Sequence, residues 1–178
     1  PPGAGKGTQA VHIAQRLGIP HISTGDLFRA NLTEGTALGL EAKKYMDAGE
    51  YVPDSVTNGM VRDRLKQADA AEGFLLDGYP RTVAQVAELD GMLAGNNIDK
   101  VIVLTADTNE VVARLLQRSK EQGRVDDTED VIRRRLEVYA EQTAPLIDLY
   151  AARGILVEVG GVGSVEHVTS NIFAELHV

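Results

Sequence analysis

The stretch Pro1-Pro2-Gly3-Ala4-Gly5-Lys6-Gly7-Thr8 runs directly into a helical pattern over residues 7–17, and the rest of the chain is read outward from it. Glycines at 3, 5 and 7 let the backbone curl until several N–H groups face one anion. A helix starting near Gly7 adds its positive N-terminal end. Lys6 brings a point charge for outer phosphates, and Thr8 a hydroxyl for phosphate or Mg2+. The phosphate-loop pattern is G-x-x-x-x-G-K-[ST]; Gly5-Lys6 supply its Gly-Lys pair, Gly7 sits at the hydroxyl position and Thr8 follows. The pattern's first glycine, and a strand leading into it, are expected just before Pro1. A polypeptide truly beginning at Pro1 is expected to fold poorly and show little activity; intact mass spectrometry fixes where it starts.

The 178 residues fit one domain with small insertions. Apolar residues make 43% and charged residues 25%, which excludes a disordered or collagen-like chain. The net charge of −8 repels nucleic acid, so any phosphate site must be built locally from clustered cations and backbone N–H groups. The lack of cysteine excludes disulfides, thiolate metal sites and a cysteine nucleophile. Apolar runs stop far short of the roughly 20 residues of a membrane span.

Four short apolar runs read as buried parallel strands: Ile19-Pro20-His21-Ile22, Phe74-Leu75-Leu76, Val101-Ile102-Val103-Leu104 and Ile155-Leu156-Val157-Glu158-Val159. Helical patterns fill residues 7–17, 25–34, 38–48, 54–67, 82–94, 109–118, 128–150 and 164–176, with Pro145 expected to kink or break the seventh. This alternation predicts an α/β sheet with helices on both faces. Residues 23–52 carry helices but no strand and read as an excursion off the sheet. Ser119-Lys120-Glu121-Gln122-Gly123 reads as a short polar loop.

Three further segments refine the reading: Ser23-Thr24-Gly25-Asp26-Leu27-Phe28-Arg29, Leu76-Asp77-Gly78-Tyr79-Pro80-Arg81-Thr82, and Arg124-Val125-Asp126-Asp127 leading to Arg135. Together with the opening loop, these motifs resemble adenylate kinases along the whole chain. The resemblance implies a P-loop NTPase-type fold: a parallel five-stranded sheet with its first strand before Pro1. The core would take residues 1–22, 53–117 and 128–178, the nucleoside-monophosphate subdomain 23–52 and the lid 118–127. It also implies a cytoplasmic, monomeric enzyme, with ATP, AMP and ADP as its partners, no nucleic acid and no membrane. The reaction would be Mg·ATP + AMP ⇌ 2 ADP; the alternative is a UMP/CMP kinase.

By resemblance, Gly3, Ala4, Gly5, Lys6, Gly7, Thr8 and Arg118 hold ATP, and the Gly163 carbonyl contacts its base. Arg29 and Arg81 hold the acceptor phosphate, beside Gly78, Tyr79 and Pro80. Thr24, Gln85 and the backbone of Glu50, Tyr51 and Val52 line the acceptor-base pocket. Arg124 and Arg135 close over both phosphate tails, so Lys6, Arg81, Arg118, Arg124 and Arg135 form the catalytic set. Asp77 helps hold Mg2+ through water. Related pyrimidine kinases carry alanine where this chain has Thr24 and asparagine where it has Thr82, and both positions point to AMP. Longer-lidded relatives can hold zinc on four cysteines; here five residues separate Arg118 from Arg124 and no zinc is expected.

The residues themselves add a test. In Arg133-Arg134-Arg135, only Arg135 falls within the apolar stripe of Val131, Ile132, Leu136 and Tyr139, so it should face inward. Arg133 and Arg134 read as surface charges, and Arg114 reads equally as surface or site. Asp26 reads equally as a first-turn charge, and Asp127 as the N-cap of the following helix, with Asp126 pairing to lid arginines. His12, His21, His167 and His177 show no dyad or ligand spacing and read as structural.

Overall fold

The computed structural model describes residues 1–124 and 127–178. From the glycine loop the chain enters α1 (Lys6–Leu17) and then β1 (His21–Ser23). The excursion is a hairpin of α2 (Thr24–Thr33) and α3 (Ala37–Ala48). The chain returns through α4 (Asp54–Leu65), β2 (Leu75–Asp77), α5 (Val83–Leu93) and β3 (Val101–Thr105). It ends with α6 (Thr108–Gln122), α7 (Glu129–Val138), a π-helical turn at Tyr139–Thr143, α8 (Pro145–Ala152), β4 (Leu156–Gly160) and α9 (Val165–Leu176). Helix starts are written in side chains: Ser23, Thr36, Thr82, Asp107 and Ser164 each accept a backbone N–H two or three residues on.

The described strands form two parallel pairs. β1 pairs with β2 in parallel, from His21 opposite Leu75 to Ser23 opposite Asp77. β3 pairs with β4 in parallel, from Val101 opposite Leu156 to Thr105 opposite Gly160. Among the described residues no ladder joins the two pairs. β2 and β3 instead line a shared, largely apolar cavity of about 290 Å3.

Helices cover both faces. α1 and α9 pack Ile13, Val168 and Ile172 against Leu104, Val157 and Val159. On the other side Val86, Leu146 and Tyr150 pack together, with Val101 and Leu156 against them. The excursion has its own small core of Phe28, Ala42 and Val52, closed by Met46, Val56 and Met60. Val111, Leu115 and Ile132 fasten α7 to α6.

One helix expectation needs correction. Residues 119–122 are the last turn of α6 rather than a loop, because nothing breaks the helix before Gly123 takes the left-handed C-cap. The pattern over 128–150 is broken ahead of Pro145, as the proline led one to expect. Proline has no N–H to donate, and the Ala144 N–H reaches five residues back to the Tyr139 carbonyl at 2.9 Å, widening the turn. Among the described residues no helix is long and apolar enough to cross a membrane.

The hairpin depends on one close approach. A Cβ added to Gly39 in α3 would fall on the Asn31 carbonyl of α2. Gly39→Ala should therefore cost about 1–3 kcal/mol in urea unfolding. Leu40→Ala, at a side chain 55% exposed, should stay within about 0.5 kcal/mol.

Candidate active site

The opening loop is shaped for an anion. Gly5 caps α1 at φ 94°, and no side chain bonds the first-turn N–H groups. Those groups are the donors a phosphate would take. Gly3, at φ 77°, lies so close to α6 that a Cβ would meet Leu115 Cγ at 2.8 Å. The loop is thus pressed onto the helix that carries Arg118. Burial above all, then the charge of Arg81, lowers the Lys6 ammonium from 10.5 to about 8. Asp77 pulls the other way, while Arg135 and Arg118 reinforce the lowering. Four cations from separate elements therefore share one field.

Asp77 ends β2 beside the loop, its Oδ2 3.7 Å from where a Gly7 Cβ would stand. His21 Nε2 lies 3.0 Å from the same oxygen, on the neighbouring strand. This gives the structural reading of His21 a specific partner. Among the described residues no group of three or more His, Cys, Asp or Glu side chains gathers as a metal site. One nearly buried carboxylate beside a phosphate loop fits an Mg2+ carried mostly by phosphate oxygens and water.

Asp127 is not the N-cap it was expected to be. Thr128 holds that position without a side-chain bond. The Asp127 carboxylate is buried and accepts Arg118 Nε at 2.7 Å, Arg118 Nη2 at 2.8 Å and Arg135 Nη1 at 2.6 Å. Its signal in the sequence was indirect: inward-facing arginines need a carboxylate, since a buried charge without a partner is costly. Arg135 faces inward as its helical position predicts, and Arg133 pairs with Glu129 on the surface. Arg134 does more than its surface reading allowed, pairing with Glu50 across the excursion as well as with Glu137. Arg124 Nε donates to Gln122 Oε1 at 3.0 Å, and its charge also reaches Asp26. Asp126 lies outside the described residues.

Beside the phosphate loop Arg114 Nη1 donates to the Gly161 carbonyl at 3.0 Å, while the Gly161 N–H reaches Thr105 O at 2.7 Å. This fixes the loop after β4 against Ala4. It is Gly161 that abuts the phosphate loop; Gly163 is exposed beside His167.

A smaller cavity of about 90 Å3 is lined by Thr24, Arg29, Glu50, Val52 and Gln85, residues expected on the acceptor side. Tyr51, Gly78, Arg81 and Arg135 line both cavities; Lys6, Asp77, Tyr79 and Pro80 line the larger. Thr24 Oγ1 donates to the Gly78 carbonyl at 3.1 Å, and Arg29 pairs with Asp26 at 2.6 Å. Gln85 was expected to offer a free amide to a base. Instead its Oε1 accepts the Arg81 N–H at 2.7 Å and its Nε2 donates to Asp54 Oδ1 at 2.8 Å. One Nε2 hydrogen and one Oε1 lone pair remain. Tyr79 is mainly a core residue, packed with Val61 and Leu89, its hydroxyl donating to Asn58 at 2.8 Å. Asp54, which sequence reasoning missed, anchors both Gln85 and Thr82.

The lowered Lys6 makes a pH prediction. A phosphate beside the ammonium favours its charged form, so nucleotide binding raises this pKa from about 8. Binding near pH 8 should then take up a fraction of a proton, an uptake that vanishes well below pH 8. Calorimetry of ATP binding in buffers of different ionisation enthalpy measures this, and Lys6→Arg, charged throughout, should abolish it.

The sequence model of the adenylate kinase family matches residues 1–155. The chain is 64% identical to adenylate kinase of Nocardioides sp., over 100% of this chain and 94% of that relative. It is 64% identical to adenylate kinase of Kocuria rhizophila, over 99% and 95%. It is 51% identical to adenylate kinase of Stenotrophomonas maltophilia, over 99% and 95%. Likeness along its whole length, on a chain whose phosphate loop carries Lys6 beside Arg81 and Arg135, places it in the adenylate kinase family of nucleoside monophosphate kinases.

Proposed function

We propose that this chain reversibly transfers the γ-phosphoryl group of Mg·ATP to AMP, giving two ADP, at the junction of its two cavities. The observation that carries the reading is that Arg81 and Arg135 line both cavities, with Lys6 in the larger, while Arg118 shares the Asp127 carboxylate with Arg135. An oxygen of the AMP phosphate attacks the γ-phosphorus as the bond to the β–γ bridging oxygen breaks. That oxygen is already ionised at neutral pH, so no general base is needed. Positioning and charge neutralisation do the work.

Lys6 and the N–H groups of the Gly3–Thr8 loop bind the donor phosphates. Arg29 and Arg81 fix the acceptor phosphate. Arg118, Arg124 and Arg135 surround the moving group, their planar forks suited to its oxygens. Mg2+, when bound with ATP, neutralises the donor phosphates; Asp77 would hold it through water. Residues 23–52 act as the acceptor flap and 118–127 as a short lid that excludes water during transfer. The enzyme acts as a cytoplasmic monomer on free nucleotides. Thr24 and Gln85, with the hydrogen and lone pair Gln85 retains, read the acceptor base as adenine.

The test is ADP formation from Mg·ATP with AMP, UMP, CMP or GMP, with no-acceptor and no-metal controls. AMP preference with metal dependence is expected. A preference for UMP or CMP would overturn the roles of Thr24 and Gln85, and equal ADP formation without any acceptor would overturn the acceptor site itself. Arg81→Ala should lower kcat/KM for AMP on the order of 100-fold or more, as loss of one charge-stabilising donor does. Its Tm should change little, and an activity loss matched by loss of folded protein would refute the assignment.

A further inference from the structure

Arg81 is held from four directions, and one holder lies in the excursion. The Arg81 guanidinium sits over the Tyr51 ring, 5.2 Å from its centroid. Tyr51 belongs to the link between α3 and α4, far from Arg81 in sequence. The Tyr51 hydroxyl lies 2.6 Å from Thr143 Oγ1 in the π-helical turn. Thr143 Oγ1 in turn donates to the Arg81 carbonyl at 2.8 Å. Thr143 has one hydroxyl proton and spends it on that carbonyl, so Tyr51 is the donor between the two hydroxyls. A relay therefore runs from the Tyr51 O–H through the Thr143 O–H to the Arg81 carbonyl. On the opposite side Gln85 Oε1 accepts the Arg81 N–H. The guanidinium also folds over its own turn, with Nη2 2.7 Å from where a Gly78 Cβ would stand.

The same link is docked beyond Tyr51. Glu50 pairs with Arg134, and a Cβ on Gly49 would meet the Val131 carbonyl of α7 at 2.9 Å. α7 is the helix that carries Arg135. Tyr51 thus stands where the excursion, the π-helical turn and the acceptor arginine meet, and it lines both cavities. Widened turns of this kind occur often at functional sites, and here the widening brings Thr143 to the Arg81 carbonyl.

We propose that Tyr51 is a positioning residue for the acceptor phosphate: its ring sets the face of the Arg81 guanidinium, and its hydroxyl, through Thr143, sets the Arg81 backbone. Docking of the excursion and orientation of Arg81 are then one event. The inference rests on the assignment of Arg81 to the acceptor phosphate, and it goes beyond the earlier reading that only the backbone at Tyr51 lines the pocket.

The experiment compares Tyr51→Phe, Tyr51→Leu, Thr143→Val, the Tyr51→Phe/Thr143→Val double variant and Arg81→Ala. Each is measured for KM of AMP, KM of ATP, kcat and Tm. Tyr51→Phe and Thr143→Val should each raise KM for AMP roughly threefold, the scale of one neutral hydrogen bond. Their double variant should be no worse than Thr143→Val alone, because that change already breaks the whole relay. Tyr51→Leu should raise KM for AMP roughly tenfold by losing ring and hydroxyl together. KM for ATP should stay within about twofold throughout, which a merely structural loss would not respect. Equal shifts for AMP and ATP, or effects that multiply in the double variant, overturn the proposal. Tyr51→Phe and Thr143→Val each change a single group, so they keep the test decisive even if Tyr51→Leu folds poorly. If Arg81→Ala leaves KM for AMP unchanged, the Arg81 assignment falls and Tyr51 with it. If Arg81→Ala raises it and the Tyr51 variants do not, the positioning role alone falls.

Discussion

Cations are crowded into one place in this protein, and the fold must hold them there. Lys6, Arg81, Arg118 and Arg135 come close enough for the other three to bear on the ionisation of Lys6. Two like charges about 4 Å apart repel by roughly 4 kcal/mol at an effective dielectric near 20. Such a cluster persists only if anions and packing oppose the repulsion. The chain supplies two low-exposure carboxylates for this: Asp77 beside Lys6, and Asp127 between Arg118 and Arg135. A nucleotide's phosphates add more of the same compensation, which is why the cluster suits phosphoryl transfer.

Each cation arrives on a different element, so the architecture serves the cluster. Lys6 opens α1, and Arg81 follows β2 across the Gly78 turn. Arg118 lies on α6 and Arg135 on α7, which the packing of Leu115 on Ile132 keeps together. Asp127 sits in the short connection between those helices and binds an arginine from each. The excursion meets this assembly at Glu50 and Tyr51, through Arg134 and Thr143. A change that loosens any of these packings moves a charge, and misplacing a charge near reacting phosphates costs rate more than stability.

Much of this was legible in the residues. The Gly-Lys pair and the glycines around it placed the anion loop. Apolar runs located four strands to within one or two residues, and the helical angle of Arg135 told it apart from Arg133. What stayed hidden depends on partners distant in sequence. Asp127 looked like a cap because Asp before a helix usually is one; only the approach of α6 and α7 makes it the shared counter-ion. Gln85 looked free because Asp54, 31 residues away, cannot be foreseen beside it.

The most direct test of the account is the initial rate of ADP formation from Mg·ATP and AMP by Asp127→Asn. It should be measured where urea unfolding shows the variant fully folded. Asparagine keeps the shape but removes the charge that two guanidinium groups share. The account predicts a fall in kcat on the order of 100-fold, as misdirected charge at the reacting phosphate implies. A folded variant with kcat within about twofold of the parent would contradict the claim that this buried carboxylate holds the transfer cations in place.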